Sequence, residues 1–217
     1  MAVNQNSGKQ QVSSPIRSGY FFQSMEVQDG KYGSQVAITF NVTKDDGTSS
    51  NRLYWLKVPA EDAKDGAVNS FASTINSFAH AILGEAEFNA VKDAYFAANP
   101  SVENRQYAEW VISQIMANPA WNTTEMEVLY VYEDKGKEAD GTVKFKVDKD
   151  KEGNNVIYSS IPSSVFTTGT FIRKKGDTAR TMELSKKAQA NVLLKDKYLE
   201  YYNNLQAANK SGSSETW

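Results

Sequence analysis

The sequence predicts a mainly β domain interrupted by helices, an α+β chain. Three observations carry that reading. Apolar residues alternate with period two through 20–58, take helical spacing through 68–116, and return to period two from 126 onward. A further helical stretch closes the chain. At 217 residues, with hydrophobic residues at 40%, the chain has enough apolar material for one large core.

The elements follow in order. Residues 1–16 are polar and read as a flexible arm. GYFFQSMEVQ and QVAITFNV are strands joined by DGKYG, with Val36, Ile38, Phe40 and Val42 sharing one face of the second. DDGTSSN turns the chain into RLYWLKV, where Tyr54, Leu56 and Val58 alternate with Leu53, Trp55 and Lys57. A helical insertion at about 67–118 comes next. Val68, Phe71, Ile75, Phe78, Ala79 and Ile82 form its first apolar stripe, ended by Gly84. Asn99-Pro100 and Asn118-Pro119 end two further helices, the last of which packs Tyr107, Trp110, Val111 and Ile115.

Alternation then resumes at Met126, Val128, Tyr130 and Tyr132, and again at Val143, Phe145 and Val147. The intervening EDKGKEAD (133–140) reads as a loop, and DKDKEGNN (148–155) as a hairpin tip. The segment 154–175, NNVIYSSIPSSVFTTGTFIRKK, adds one or two strands, with Pro162 placed at an edge or rim. Residues 17–176 thus form one domain, 177–209 a long C-terminal helix, and 210–217 a flexible tail. Five short antiparallel strands with helices between the third and fourth is the element order of an OB-fold barrel.

Composition excludes several chemistries. There is no cysteine and one histidine, so disulfides, thiol nucleophiles, His-rich metal sites and acid–base dyads built on histidine fall away. His80 lies off the Phe71/Ile75/Phe78 stripe, and no glycine pattern of a phosphate-binding loop occurs. DKDKEGNN lacks the ligand spacing of a calcium loop. No apolar run reaches the length of a membrane span, and the N-terminus has no signal-peptide character. The expectation is a cytoplasmic, non-enzymatic binder that needs no cofactor or metal.

Charge is unevenly spread. Residues 1–60 carry six Lys/Arg against four Asp/Glu, 61–140 carry five against fourteen, and 141–217 carry thirteen against eight. The strand segments therefore interleave cations with rings, the mixture that stacks bases and follows phosphates in single-stranded nucleic acid. Since a strand offers only one outward face, about half of those rings must be core. The outward set is Trp55 with Lys57, and Lys144 with Lys146. To these Arg17, Arg52, Tyr158 and the run Arg173, Lys174, Lys175 are added as nucleic-acid-binding residues. The run is expected to be free of structural duty, and Lys135, Lys137 and Lys149 to lie in loops away from any groove. A carbohydrate-binding β-domain would use similar rings but has no need of the cations.

The succession RSGYFFQSMEVQDGKYGSQVAITFNV, RLYWLKVP, FASTINSFAHAILGEAEFNAV, EWVISQI, TEMEVLYVYED and NVIYSSIPSSVFTTGTFIRKK resembles phage-encoded single-stranded DNA-binding proteins of Bacteroides-type hosts. The resemblance covers about residues 17–175 and is one of order and texture. It implies an OB-fold interrupted after its third strand, closed by a Pro-containing strand near its end. It also implies sequence-independent binding of single-stranded DNA in replication or recombination, in the host cytoplasm. Other phage replication proteins, or a second copy through the C-terminal helix, are the implied further partners. KSGSSETW departs from the acidic aromatic tail usual in such proteins. The alternative is a virion structural or assembly protein whose β-domain and terminal helix contact other subunits.

Overall fold

A computed structural model describes residues 15–212 apart from 32, 45 and 163. The arm expected at 1–16 lies outside the described residues as far as 14, and the tail expected at 210–217 lies outside them from 213. Three long strands open the chain: β1 (Ile16–Gly30), β2 (Gly33–Thr43) and β3 (Ser49–Lys57). Helices α1 (Asp65–Leu83), α2 (Glu85–Ala98) and α3 (Asn104–Ala117) follow. The short strands β4 (Met126–Leu129), β5 (Asp134–Lys137), β6 (Val143–Phe145), β7 (Val147–Lys149), β8 (Asn155–Ile157) and β9 (Ile172–Lys174) precede the terminal helix α4 (Lys186–Gly212).

The main sheet is antiparallel, five-stranded and ordered β3-β2-β1-β4-β9. Alternation explains its inner face. Val36, Ile38 and Phe40 of β2 are fully buried, while Leu53 and Trp55 of β3 stay 55% and 46% exposed. In β1 the buried set moves from Tyr20 and Phe22 to Met25. A bulge between Phe22 and Ser24 inserts one residue and shifts the parity.

The sheet is not a closed barrel, because β3 and β9 end it as edges with no ladder between them among the described residues. The physical reason is α1. Its Phe78 sits on the inner face, edge-on to Phe22, Tyr54 and Phe171 at ring separations of 6.0, 5.7 and 5.4 Å. The helix fills the space across which opposing strands would have to meet, and such aromatic contacts add to ordinary burial. Behind it, Tyr95 stacks on Trp110 at 4.2 Å and ties α2 to α3.

Four expectations need correction. EDKGKEAD is not a plain loop: 134–137 pairs with β6, and the turn closes through Glu138 N–H to Thr142 O at 2.9 Å. Val143, Phe145 and Val147 do not share one strand, since the chain changes partner at Lys146, from β5 to β8. Segment 154–175 does supply two strands, β8 and β9, but the stretch around Pro162 between them is no ladder strand. It touches Val131 through one bridge at Ser160, makes a 3-10 turn at Ser164–Phe166, and buries Pro162. The terminal helix starts at Lys186, not at 177, and 181–185 instead runs beside 166–170, held by Thr168 N–H to Glu183 O at 3.0 Å and Thr170 N–H to Thr181 O at 3.1 Å.

Candidate nucleic-acid interface

Because β3 has a ladder on one side only among the described residues, its other edge faces the end of β8 and the chain that follows it, 156–161, across a gap. That gap is a cleft of ≈ 930 Å³. Asn51 to Trp55 form one wall, Tyr158 to Ile161 the other, and the β7–β8 hairpin one end. Arg17, Tyr130 and Tyr132 complete it. Tyr54 ties the walls together, its hydroxyl donating to Pro162 O at 3.2 Å. Burial, with Glu133 nearby, holds that hydroxyl above the ordinary tyrosine range.

Four of the sequence-predicted residues meet in this cleft: Arg17, Arg52, Trp55 and Tyr158. Trp55 and Tyr158 are exposed rings, at 46% and 39%. Arg17 lies 4.1 Å from the Tyr130 ring centroid and donates to Ser159 Oγ at 3.3 Å. Neither arginine has an ion-pair partner among the described residues. A guanidinium lying on a ring beside exposed rings is able to bind bases and phosphates together. Lys146 touches the cleft through Tyr158, with Nζ 4.3 Å from that ring's centroid. Lys57 lines an adjoining groove of ≈ 670 Å³, which runs from Trp55 to Ser70 and Phe71 of α1.

The remaining four lie elsewhere. Lys144 is turned toward Glu138, at 3.7 Å. Arg173, Lys174 and Lys175 belong to the opposite edge of the sheet, and none of them lines the cleft. Cross-strand neighbours answer two of their charges: Arg173 Nε donates to Glu127 at 2.8 Å and Lys175 Nζ to Glu125 at 2.8 Å. Arg173 Nη1 also holds Arg180 O at 2.8 Å, so this arginine does have a structural duty. Lys149, expected away from any groove, lines the cleft with Lys151. The hairpin that carries them supplies part of the cleft lining.

The cleft is not uniformly basic. Glu133, Asp148, Asp150 and Glu152 share it with Arg17, Arg52, Lys149 and Lys151. Several of these carboxylates are engaged locally: Glu133 with Lys135 at 3.0 Å, and Asp150 with the Asn154 amide at 2.7 Å. The four aromatics Tyr20, Phe22, Tyr130 and Phe171 are core. Tyr20 and Tyr130 share a short hydroxyl hydrogen bond, and burial followed by that bond raises the Tyr20 hydroxyl beyond the usual range. Among the described residues no helix is long and apolar enough to cross a membrane. No protein-family model, curated protein or solved structure matches the chain.

Proposed function

We propose that this protein is a non-catalytic, sequence-independent single-stranded DNA-binding protein of phage replication or recombination. One observation carries the reading: two exposed rings, Trp55 and Tyr158, and two arginines with no carboxylate partner among the described residues, Arg17 and Arg52, line one cleft along a strand edge. In this reading the fold is an OB-like barrel opened along the seam between β3 and 156–161, and the strand lies in that seam. The resemblance to phage single-stranded DNA-binding proteins, drawn from the sequence, supports the same assignment.

Fluorescence titration with a poly-dT oligomer at several salt concentrations tests it. Log affinity is expected to fall linearly with log salt, by about 0.7 per phosphate neutralised on a single strand. Absence of binding at low salt overturns the reading. The alternative, a virion assembly protein, draws on α4, where Leu193 and Leu205 are 75% and 43% exposed. It is favoured if the oligomer does not bind and a helix-face variant at those leucines abolishes self-association.

A further inference from the structure

The two arginines also face a second pocket. It measures ≈ 450 Å³ and opens between the start of β1 and the β2–β3 turn. Its described lining is Ile16, Arg17, Ser18, Tyr20, Val42, Thr43, Lys44, Ser50 and Arg52. Three cations and the hydroxyl-bearing Ser18, Thr43 and Ser50 thus line it, with no carboxylate among the described lining residues. In the cleft next door, four cations are balanced by four carboxylates. The positive field of this face is thus concentrated in the smaller pocket.

Backbone geometry builds it. The β1–β4 ladder shifts register between Arg17 and Tyr20, and Gly19 at that shift takes φ 83°. A Cβ there would lie 2.2 Å from Thr43 O. Only glycine lets β1 pass so close to the end of β2, which sets Arg17 and Ser18 beside Thr43 and Lys44. Two nearby acids among the described residues, Glu125 and Asp46, are already hydrogen-bonded. Glu125 accepts from Gly19 N–H at 3.1 Å and from Lys175 at 2.8 Å, while Asp46 accepts from Thr48 N–H at 2.9 Å and its hydroxyl at 2.5 Å. Ser50 Oγ is buried without a hydrogen-bond partner among the described residues, an arrangement that native structures seldom leave unexplained.

We infer that this pocket seats a phosphomonoester: the terminal phosphate of a nucleic-acid strand whose body lies in the adjoining cleft. A backbone phosphodiester carries a single negative charge. A terminal phosphate carries about −1.5 to −2 and presents three strong acceptor oxygens. Three cations with serine and threonine hydroxyls match the second better than the first. Arg17 and Arg52 line both spaces, so the pocket and the cleft adjoin at these two side chains. The strand in this picture rests on the single-stranded DNA reading. The phosphate seat does not.

The test compares one dT oligomer in three forms, with a 5′-phosphate, a 3′-phosphate, or hydroxyls at both ends. Anisotropy is read at low ionic strength and at a pH where the monoester is dianionic. One phosphorylated form is expected to bind about tenfold or more tightly than the hydroxyl-ended form, as charge-assisted hydrogen bonds allow. Lys44→Ala is expected to erase the preference and Lys44→Arg to retain it, with thermal midpoints confirming that both variants fold. Equal affinity for all three forms overturns the phosphate seat while leaving the single-strand reading intact. If no form binds, that reading fails, and titration with inorganic phosphate and thymidine monophosphate decides the seat alone. Saturable binding that Lys44→Ala removes sustains it, and no binding of either overturns it.

Discussion

The two edges of the main sheet both carry cations beside apolar residues, yet they differ in what those cations touch. On the β3 side, Arg17 and Arg52 have no carboxylate partner among the described residues and stand next to exposed rings. On the β9 side, Arg173 is held by Glu127 of β4 and Lys175 by Glu125 just before that strand. The register Glu127↔Arg173 places opposite charges directly across the ladder, the arrangement that stabilises a sheet. A run of three cations is thus largely sheet architecture, while two arginines 35 residues apart in the chain form the surface available to a ligand.

The largest expected effect breaks this symmetry through stability. The Arg173 and Glu127 side chains are only 18% and 17% exposed. Arg173→Ala leaves Glu127 and Arg180 O without their donor, and should cost about 2–4 kcal/mol, somewhat under the cost of breaking a fully buried pair. Arg52→Ala, at an exposed position with no ion-pair partner among the described residues, should stay within about 0.5 kcal/mol. Urea denaturation of both variants checks the contrast. Equal stability would mean that the β9 cations are as free as those of β3, and the expectation drawn from the sequence would stand after all.

Affinity sharpens the comparison next. Trp55→Ala is expected to weaken poly-dT binding by about 1–3 kcal/mol if the indole stacks on a base. Its outward position on an edge strand implies little loss of stability. An unchanged dissociation constant with an intact fold would remove Trp55 from the interface and shift attention to Tyr158. Intrinsic tryptophan fluorescence is a poor readout here, because Trp110 and Trp121 pack in the core and also report.

Salt dependence separates the edges by charge alone. The double variant Arg17→Ala/Arg52→Ala should flatten the log–log slope by about 1.4, two contacts at about 0.7 each. Lys174→Ala/Lys175→Ala should leave the slope close to wild type. Lys135→Ala/Lys137→Ala serves as a loop control, with Lys149 left out because it lines the cleft. Equal flattening in all three doubles would show diffuse attraction with no groove.

Legibility in the sequence followed the range of the interaction. The faces of β2, β3 and α1 were readable because period two and period 3.6 are local properties: Val36, Ile38, Phe40, Phe71, Ile75 and Phe78 are all buried. Trp55 was readable as outward for the same reason. The engagement of Arg173 was not, since Glu127 lies 46 residues away and only register brings them together. Nor was the role of Lys44 and Ser50, which depends on Gly19 lying against Thr43. The change of partner at Lys146 was also hidden, because Val143, Phe145 and Val147 keep their alternation across the break.

The smallest expected effect concerns a further engaged cation, Arg180, which packs against α1. Its guanidinium can only donate, so the 3.3 Å contact to His80 Nδ1 requires an imidazole that is neutral and bears its proton on Nε2. Burial, then the charge of Arg180 and more weakly Lys92, hold the His80 pKa below its ordinary 6.5, against the opposing pull of Glu85 and Asn89. A folded-state pKa below the unfolded one means that the unfolded chain binds the extra proton first. The contribution to stability is therefore complete above about pH 6.5 and is lost as pH falls toward the lowered folded value. His80→Gln, which keeps a polar side chain but does not titrate, should flatten the stability profile in that window. None of His80, Arg180, Glu85 or Lys92 lines the cleft, so poly-dT affinity near neutral pH should be unaffected by the substitution. A variant that loses stability with acid as steeply as wild type would remove His80 from the account. One that keeps stability but loses DNA affinity would show that the engaged side of the molecule also takes part in binding.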